Sequence, residues 1–311
     1  MEFFKKVTQI PFMAQRKLWY AISAVLVVGS LVLVPLKGLN FGIEFTGGVV
    51  AEYAYQGPAN LELTREALHA AGFADVAVQN FGTARDVLVR LPPVPAGVKP
   101  DTVTTRVTAA VHSVDAGAEL RRTEVIGAQV GKELVEKGLT ALGITLLLIM
   151  LYVWLRFEWK FGVGAVLAAL HDPIVVVGVF ALTGLTFDLS VLAAILAVIG
   201  YSLNDTVVVF DRVRERFLSL RKATPSQVMD ISINETLSRT VITSGTTLLT
   251  VLALFAFGGE TLRGFSTALI VGIVVGTYSS IFVAAGVSLD LGLTQQDLLP
   301  SESKKAIDDL P

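Results

Sequence analysis

The stretch LWYAISAVLVVGSLVLVPL, residues 18–36, carries no charged side chain from end to end. A helix needs about 20 mainly apolar residues, at about 1.5 Å each, to cross the hydrocarbon of a bilayer. This segment is long enough. It is too long for the apolar part of a signal peptide, and no small-residue cleavage site follows it, so it reads as an uncleaved anchor. Five further segments of the same kind follow, at 139–155, 161–185, 189–210, 240–257 and 265–289. The second is close to the lower limit of spanning length and is expected to extend toward Lys137. The sequence therefore predicts six transmembrane helices.

Composition agrees. Of the 311 residues, 53% are hydrophobic and 17% charged, where a soluble domain carries about a quarter charged residues. The net charge of −2, with no basic stripe for phosphates, argues against a nucleic-acid partner. There is no cysteine, which removes disulfides, thiol chemistry and thiolate metal sites. The three histidines, 69, 112 and 171, have no metal-ligand spacing, and no phosphate-binding glycine loop is present. No cofactor or metal is expected.

Basic residues in short loops set orientation. Lys5, Lys6, Arg16 and Lys17 precede the first helix. Arg212, Arg214, Arg216, Arg221 and Lys222 follow the fourth. The turn at 186–188 has no basic residue and that at 258–264 only Arg263. Both termini are expected in the cytoplasm. The chain divides into a cytoplasmic N-terminus with the first helix (1–36), an extracytoplasmic domain (37–137), helices two to six (138–290) and a cytoplasmic tail (291–311). The tail is polar after Gln295 and is expected to be disordered.

Residues 37–137 change hydrophobic period in a readable order. GVVAEYAY (48–55) is a strand. NLELTREALHAAG (60–72) is a helix, capped by Asn60 and stopped at Gly72. DVAVQNF (75–81) and RDVLVRL (85–91) are strands with Gly82 between them. The Pro-rich loop PPVPAGVKP precedes a helix from about Asp101 to Gly117, and ELRRTEVIGAQV (119–130) is a strand. The order βαββαβ predicts a ferredoxin-like α+β ectodomain on an α-helical membrane bundle, tethered through 37–45 and 131–138.

An ionisable residue in hydrocarbon costs about 2.5–3.5 kcal/mol on insertion scales, so it needs a partner or a purpose. Asp205 lies in the fourth helix, six residues before Asp211 and so roughly 9 Å inside the interface. Tyr201 shares its face, Ser202 is three residues back, and Asn204 points elsewhere. Arg239 opens a polar helical stripe with Thr243, Thr246 and Thr250 on the fifth helix. The fourth and fifth helices are antiparallel neighbours, so Asp205 and Arg239 are expected to meet. His171 and Asp172 lie mid-way along the third helix, before Pro173, which can kink it. Gly164 and Gly178 flank them; Gly272, Gly276 and Ser280 repeat every four residues on the sixth helix, with Tyr278 and Ser279 on another face. Plainer readings stand beside these: Arg239 snorkelling to headgroups, the threonines and glycines as helix adhesion, and His171–Asp172 as a satisfied structural pair. Asp205 is the hardest to dismiss. Glu44 and Glu260 lie at the outer interface and need no special purpose.

The segments GIEFTGG (42–48), ALHDP (169–173), IGYSLNDTVVVFDRVRERF (199–217), LSRTVITSGTT (237–247) and TYSSIFVA (277–284) resemble the signature segments of the SecF family. SecF proteins are subunits of the bacterial protein-export complex SecDF, related to resistance-nodulation-division exporters. The resemblance covers nearly the whole chain. Two positions depart from the pattern: Glu44 stands where the family usually has Asp, and Pro173 where it usually has an aliphatic residue. The resemblance implies SecD as the paired half, the SecYEG channel as client, YajC as a further associate, unfolded preproteins as substrate and the bacterial inner membrane as location. It implies proton conduction through Asp205 and Arg239, with protons as the coupling ion. Tyr201, Ser202, Asn204, Thr243, Thr246, His171 and Asp172 would be supporting polar residues. Three other readings remain open: a small-molecule proton antiporter of the same superfamily, an intramembrane aspartyl protease using Asp172 and Asp205, and a purely structural translocon subunit.

Overall fold

The computed structural model describes residues 8–93, 99–220 and 222–298. Lys5, Lys6 and Arg221 lie outside these residues, as do the centre of the Pro-rich loop (94–98) and the tail beyond 298. A short 3-10 turn, Met13–Gln15, opens into α1 (Arg16–Lys37). Strand β1 (Asn40–Phe41) and the single turn α2 (Ile43–Thr46) follow. Gly47 and Gly48 then take φ of +69° and +131°, and a side chain at Gly48 would strike the Leu91 carbonyl. Only glycine turns the chain from α2 into the sheet here.

The α+β domain between the first two spans comprises β2 (Gly48–Ala54), α3 (Leu61–Ala70), β3 (Ala77–Phe81), β4 (Thr83–Leu91), α4 (Pro100–Val114) and β5 (Glu119–Ile126). Asn60 caps α3 as expected, accepting from the Glu62 and Leu63 amides. The sheet runs β3-β4-β2-β5 with every neighbouring pair antiparallel. Val49, Ala51 and Tyr53 point to one face and pack with Leu68, Val103, Val107 and Val111 of the two helices. Glu52, Leu88, Arg90, Arg122 and Glu124 line the other face, which looks onto the outer end of the membrane helices.

The boundary expected at 137–138 is not found. β5 ends at Ile126, and α5 (Ala128–Arg156) begins two residues later and runs unbroken into the membrane. The strand expected to reach residue 130 is therefore cut short, and the tether expected over 131–138 is helical. Hydropathy marks only the membrane portion of α5, whereas helix propensity continues outward through AQVGKELVEK. Gly131 does not break it; a side chain there would come within 3.0 Å of the Gly47 amide and the Phe45 carbonyl, so the glycine serves close approach to α2.

Helices α6 (Trp159–Thr183), α7 (Leu189–Ser219) and α8 (Pro225–Phe257) follow, with β6 (Thr186–Phe187) between the first two. α6 passes through Pro173 without interruption. α7 and α8 extend beyond the apolar segments into a polar end, where Arg212 and Arg216 both pair with Glu235; the Thr224–Gln227 capping box starts α8. The last span comprises a 3-10 turn, α9 (Arg263–Tyr278), a π-helical stretch (Ser279–Ala284) and α10 (Ala285–Asp290). The short α11 (Gln295–Leu298) follows.

Among the described residues, six helices are long and apolar enough to cross a membrane. Their burial ranks them. The last span, α6 and α7 are 67%, 56% and 44% buried, against 17% for α8, 11% for α1 and 6% for α5. α7 is the central post, packed by α6, α8 and α9, while α1 leans on α6. The outer faces of α1 and α5 present Val25, Leu31, Leu139, Leu147 and Trp154, as a lipid-facing surface requires.

Candidate functional site

Two buried polar centres flank α7 on adjacent faces. Residues 201 and 205 share one side of the helix; 202 and 206, roughly 100° around, share the next.

On the first side, Asp205 is 7% exposed. Its Oδ1 accepts a hydrogen bond of 2.7 Å from Thr240, and its Oδ2 has no partner among the described residues. Tyr201 donates to Ser244 at 3.3 Å, and Ser244 bonds Thr277 at 2.8 Å. The expected contact between Asp205 and Arg239 is absent: among the described residues no ion pair joins them, and Arg239 lies on the exposed side of α8. Its charge reaches Asp205 only through space. One residue along, about 100° of rotation, is Thr240, which is buried and makes the contact. Hence the inward polar seam of α8 is Thr236, Thr240 and Ser244. Arg239, Thr243, Thr246 and Thr250 look outward, the threonine hydroxyls bonded to their own helix's carbonyls. SRTVITSGTT is polar on both faces, so spacing could not tell which one turns inward. Asn204 is exposed, pointing away as expected.

On the second side, Ser202 bonds not Asp205 but Asp172. His171 and Asp172 are 5% and 0% exposed. Asp172 Oδ1 meets His171 Nδ1 at 2.9 Å. Its Oδ2 accepts from Ser202 at 2.5 Å and from Ser279 at 3.0 Å. His171 Nε2 meets the Tyr278 hydroxyl at 2.8 Å, which in turn bonds Ser23 of α1 at 3.1 Å. Thr206 donates to Ser280 at 3.0 Å, and Ser280 bonds the Ser202 carbonyl. The π-helical stretch makes this possible. Its wider turn brings Ser279 and Ser280 to the same buried centre, whereas regular helical spacing set them on different faces. Gly276 gives α9 room beside it: a side chain there would lie 3.0 Å from Ser202 Cβ and 3.3 Å from Asp172 Oδ2. Ser23, Thr206, Thr236, Thr240, Ser244 and Thr277 are the site residues that sequence reasoning missed.

A third polar group sits at the end of the bundle that meets the sheet. A cavity of about 380 Å³ separates the ectodomain sheet from the helix ends, with Glu44, Arg90, Glu124 and Asp188 in its wall. Arg90 of β4 donates to Asn40 Oδ1 (2.8 Å), the Phe41 carbonyl (3.0 Å) and Thr186 Oγ1 (3.3 Å). It thereby clamps the parallel pairing of β1 with β6. Burial, reinforced by Asp188 and Glu124, pushes the Glu44 carboxyl above its usual range; its own backbone hydrogen bond and the Arg90 charge oppose this. Glu44, set aside in the sequence, is thus part of a built junction.

Residues 106–294 match the family described as protein export membrane protein SecD/SecF, C-terminal, and residues 32–59 match the SecD/SecF GG motif. Among curated proteins, the chain is 48% identical over 297 residues to protein translocase subunit SecF of Vibrio alginolyticus, covering 95% of this chain and 94% of that one. It is 48% identical over 310 residues to the Pseudomonas aeruginosa subunit of the same name, covering 98% and 99%. Among solved structures, it resembles SecDF of Thermus thermophilus, described as a translocon-associated membrane protein, with a TM-score of 0.82 and 37% identity. That alignment covers 91% of this chain but only 39% of the other. A second structure, SecDF in a super-membrane-facing form, aligns with a TM-score of 0.69 and 34% identity, covering 98% of this chain and 40% of that one.

Proposed function

Since this chain belongs to the SecD/SecF family of protein-export membrane proteins, as a SecF-type translocase subunit, we propose that it couples proton entry to the export of unfolded preproteins. The observation that carries the reading is Asp205. It is a carboxyl group within a membrane span, with one oxygen held by Thr240 and the other without a partner among the described residues. Leaving such an oxygen buried and ionised costs several kcal/mol, and a proton on Oδ2 lowers that cost by removing the charge. One charge crossing the membrane carries about 2.3 kcal/mol per 100 mV, enough to bias a two-state equilibrium by tens of fold.

Arg239 enters from outside this bundle. Its exposed stripe on α8 is a polar surface that lipid would not solvate, so we assign it to the interface with SecD, which would occupy the remainder of the SecDF length. There Arg239 would face both a partner group and the field of Asp205. Protonation of Asp205 changes which of the two Arg239 favours, and α7 and α8 shift accordingly.

The ectodomain is read as a ferredoxin-like sandwich; the antiparallel order β3-β4-β2-β5 with both helices on one face supports it. We read both termini as cytoplasmic and the protein as one of a bacterial inner membrane. Arg16, Lys17, Arg156, Arg212, Arg214 and Arg216 gather at one end of the bundle, in accord with that placement. SecYEG and YajC are proposed associates, and the preprotein is the proposed substrate.

The test is proton flux into liposomes bearing the complex with SecD. Asp205→Asn should abolish the flux and the stimulation of export by membrane potential. Undiminished flux with this variant removes Asp205 from the pathway, and export that is also undiminished leaves a structural subunit.

A further inference from the structure

Asp205 is not the only ionisable group within this bundle. His171 and Asp172 are more deeply buried, and every polar atom of the two side chains has a partner. The groups facing them can be named element by element. α1 offers Ser23, α7 offers Ser202, and the last span offers Tyr278 and Ser279. Among the described residues Tyr278 is the one titratable group in contact with the pair, and no lysine or arginine pairs with Asp172. Asp205 sits on the neighbouring face of α7, turned toward α8.

This arrangement constrains the protons. Asp172 Oδ2 accepts from Ser202 and shares the Ser279 hydroxyl proton with the Gly276 carbonyl, and so acts as an acceptor, as a carboxylate does. Oδ1 then accepts from His171 Nδ1–H. What remains free is Nε2, and the Tyr278 hydroxyl between it and Ser23 can serve either as donor or as acceptor. With Nε2 bare, Tyr278 donates to it and Ser23 donates to Tyr278. With Nε2 protonated, Nε2–H donates to Tyr278 and Tyr278 donates to Ser23. Each state satisfies every atom. The first leaves one net negative charge buried; the second is a neutral imidazolium–carboxylate pair. Moving between them needs one proton and the rotation of two hydroxyls.

We propose that His171–Asp172 is a second proton-binding site of this protein, loaded at Nε2 through Tyr278. The site rests on the proposed proton coupling for its role, but its existence does not. Because Ser202 and Asp205 lie on one helix three residues apart, loading one site alters the seat of α7 against α6 and the last span, and thereby against Thr240. The chain would then carry two linked proton sites, with α7 as the element they share.

The experiment uses the full chain assembled with SecD in liposomes, with [15N]histidine incorporated into this chain alone. Replacing His69 and His112, both in the ectodomain, by Gln leaves His171 as the only labelled ring. Its nitrogen signals should convert from the Nδ1–H neutral form to the doubly protonated form as pH falls. Asp172→Asn should hold the ring neutral throughout, lower flux by about tenfold or more, and remove a titrating step from the profile of flux against pH. Tyr278→Phe, which keeps the packing, should slow flux while leaving the ring able to titrate. A His171 ring fixed in one state over the whole range in which flux rises and falls overturns the proposal. So does a Tyr278→Phe protein whose flux and pH profile match the parent. The two readings fail separately: intact flux in Asp205→Asn overturns the proposed function while the ring titration stands, and a silent ring overturns the second site while the loss of flux at Asp205 stands.

Discussion

Both polar centres depend on how closely the last span approaches α7, and Gly272 measures that approach. A side chain built at Gly272 falls within the van der Waals envelope of both methyls of Val198. Valine is β-branched and stiff at χ1, so it cannot turn aside; the helices must part. Overpacking of this kind costs about 1–3 kcal/mol, and the contact with both methyls puts Gly272→Ala at the upper end. Against that stands a helix-propensity gain of about 1 kcal/mol for replacing glycine by alanine. The net expectation is destabilisation of about 2 kcal/mol, roughly a thirtyfold change in the folded-to-unfolded ratio. Gly200 and Gly245 are the controls, because a side chain at either meets nothing within 4 Å. They should be neutral or slightly stabilised. The assay is thermal unfolding of the three purified variants in one detergent, alongside proton flux. Gly272→Ala unfolding together with Gly200→Ala would refute the close approach of α9 to α7, and with it the geometry of both centres.

Two further outcomes follow from the junction. Arg90→Met removes three hydrogen bonds from a charged donor, each worth about 1.5–3 kcal/mol before solvent compensation; amide exchange over 40–46 and 186–188 should quicken by at least about tenfold with the sheet core still protected. Glu44 carries a carboxyl raised by burial, so the folded junction holds its proton more tightly than the unfolded chain does. Its contribution to stability is therefore full below the ordinary carboxylate range and is lost as pH rises through the raised value. Glu44→Gln should flatten that slope in a melt series against pH, and an unchanged slope would exclude Glu44 as its source.

What the sequence made legible follows from what each pattern measures. Hydropathy located all six spans because burying a charge in lipid is expensive at every position. It could not find where the helices end, because α5, α7 and α8 continue into water on helix propensity and ion pairs, such as Arg216 with Glu235. Asn60 and the helix-stopping Gly72 were readable because a cap and a positive φ admit few residues. Asp205 stood out as an isolated cost. Its partner was misassigned since Arg239 and Thr240 are adjacent in a segment polar all round. The His171 network was only half visible: its members lie on four elements, and the π-helical stretch breaks the periodicity by which Tyr278, Ser279 and Ser280 would otherwise be sorted.

α5 has a mechanical consequence. Its 29 residues make a rod of about 43 Å, of which a bilayer core of about 30 Å takes the greater part. The remainder stands above the lipid and passes through a single residue, Gly127, into an edge strand of the sheet. A leaning of about 10° carries the top of such a rod some 7 Å sideways. If one proton descending 100 mV supplies about 2.3 kcal/mol to that stroke, the thrust is on the order of 20 pN. A slack connection would dissipate it; a mast does not.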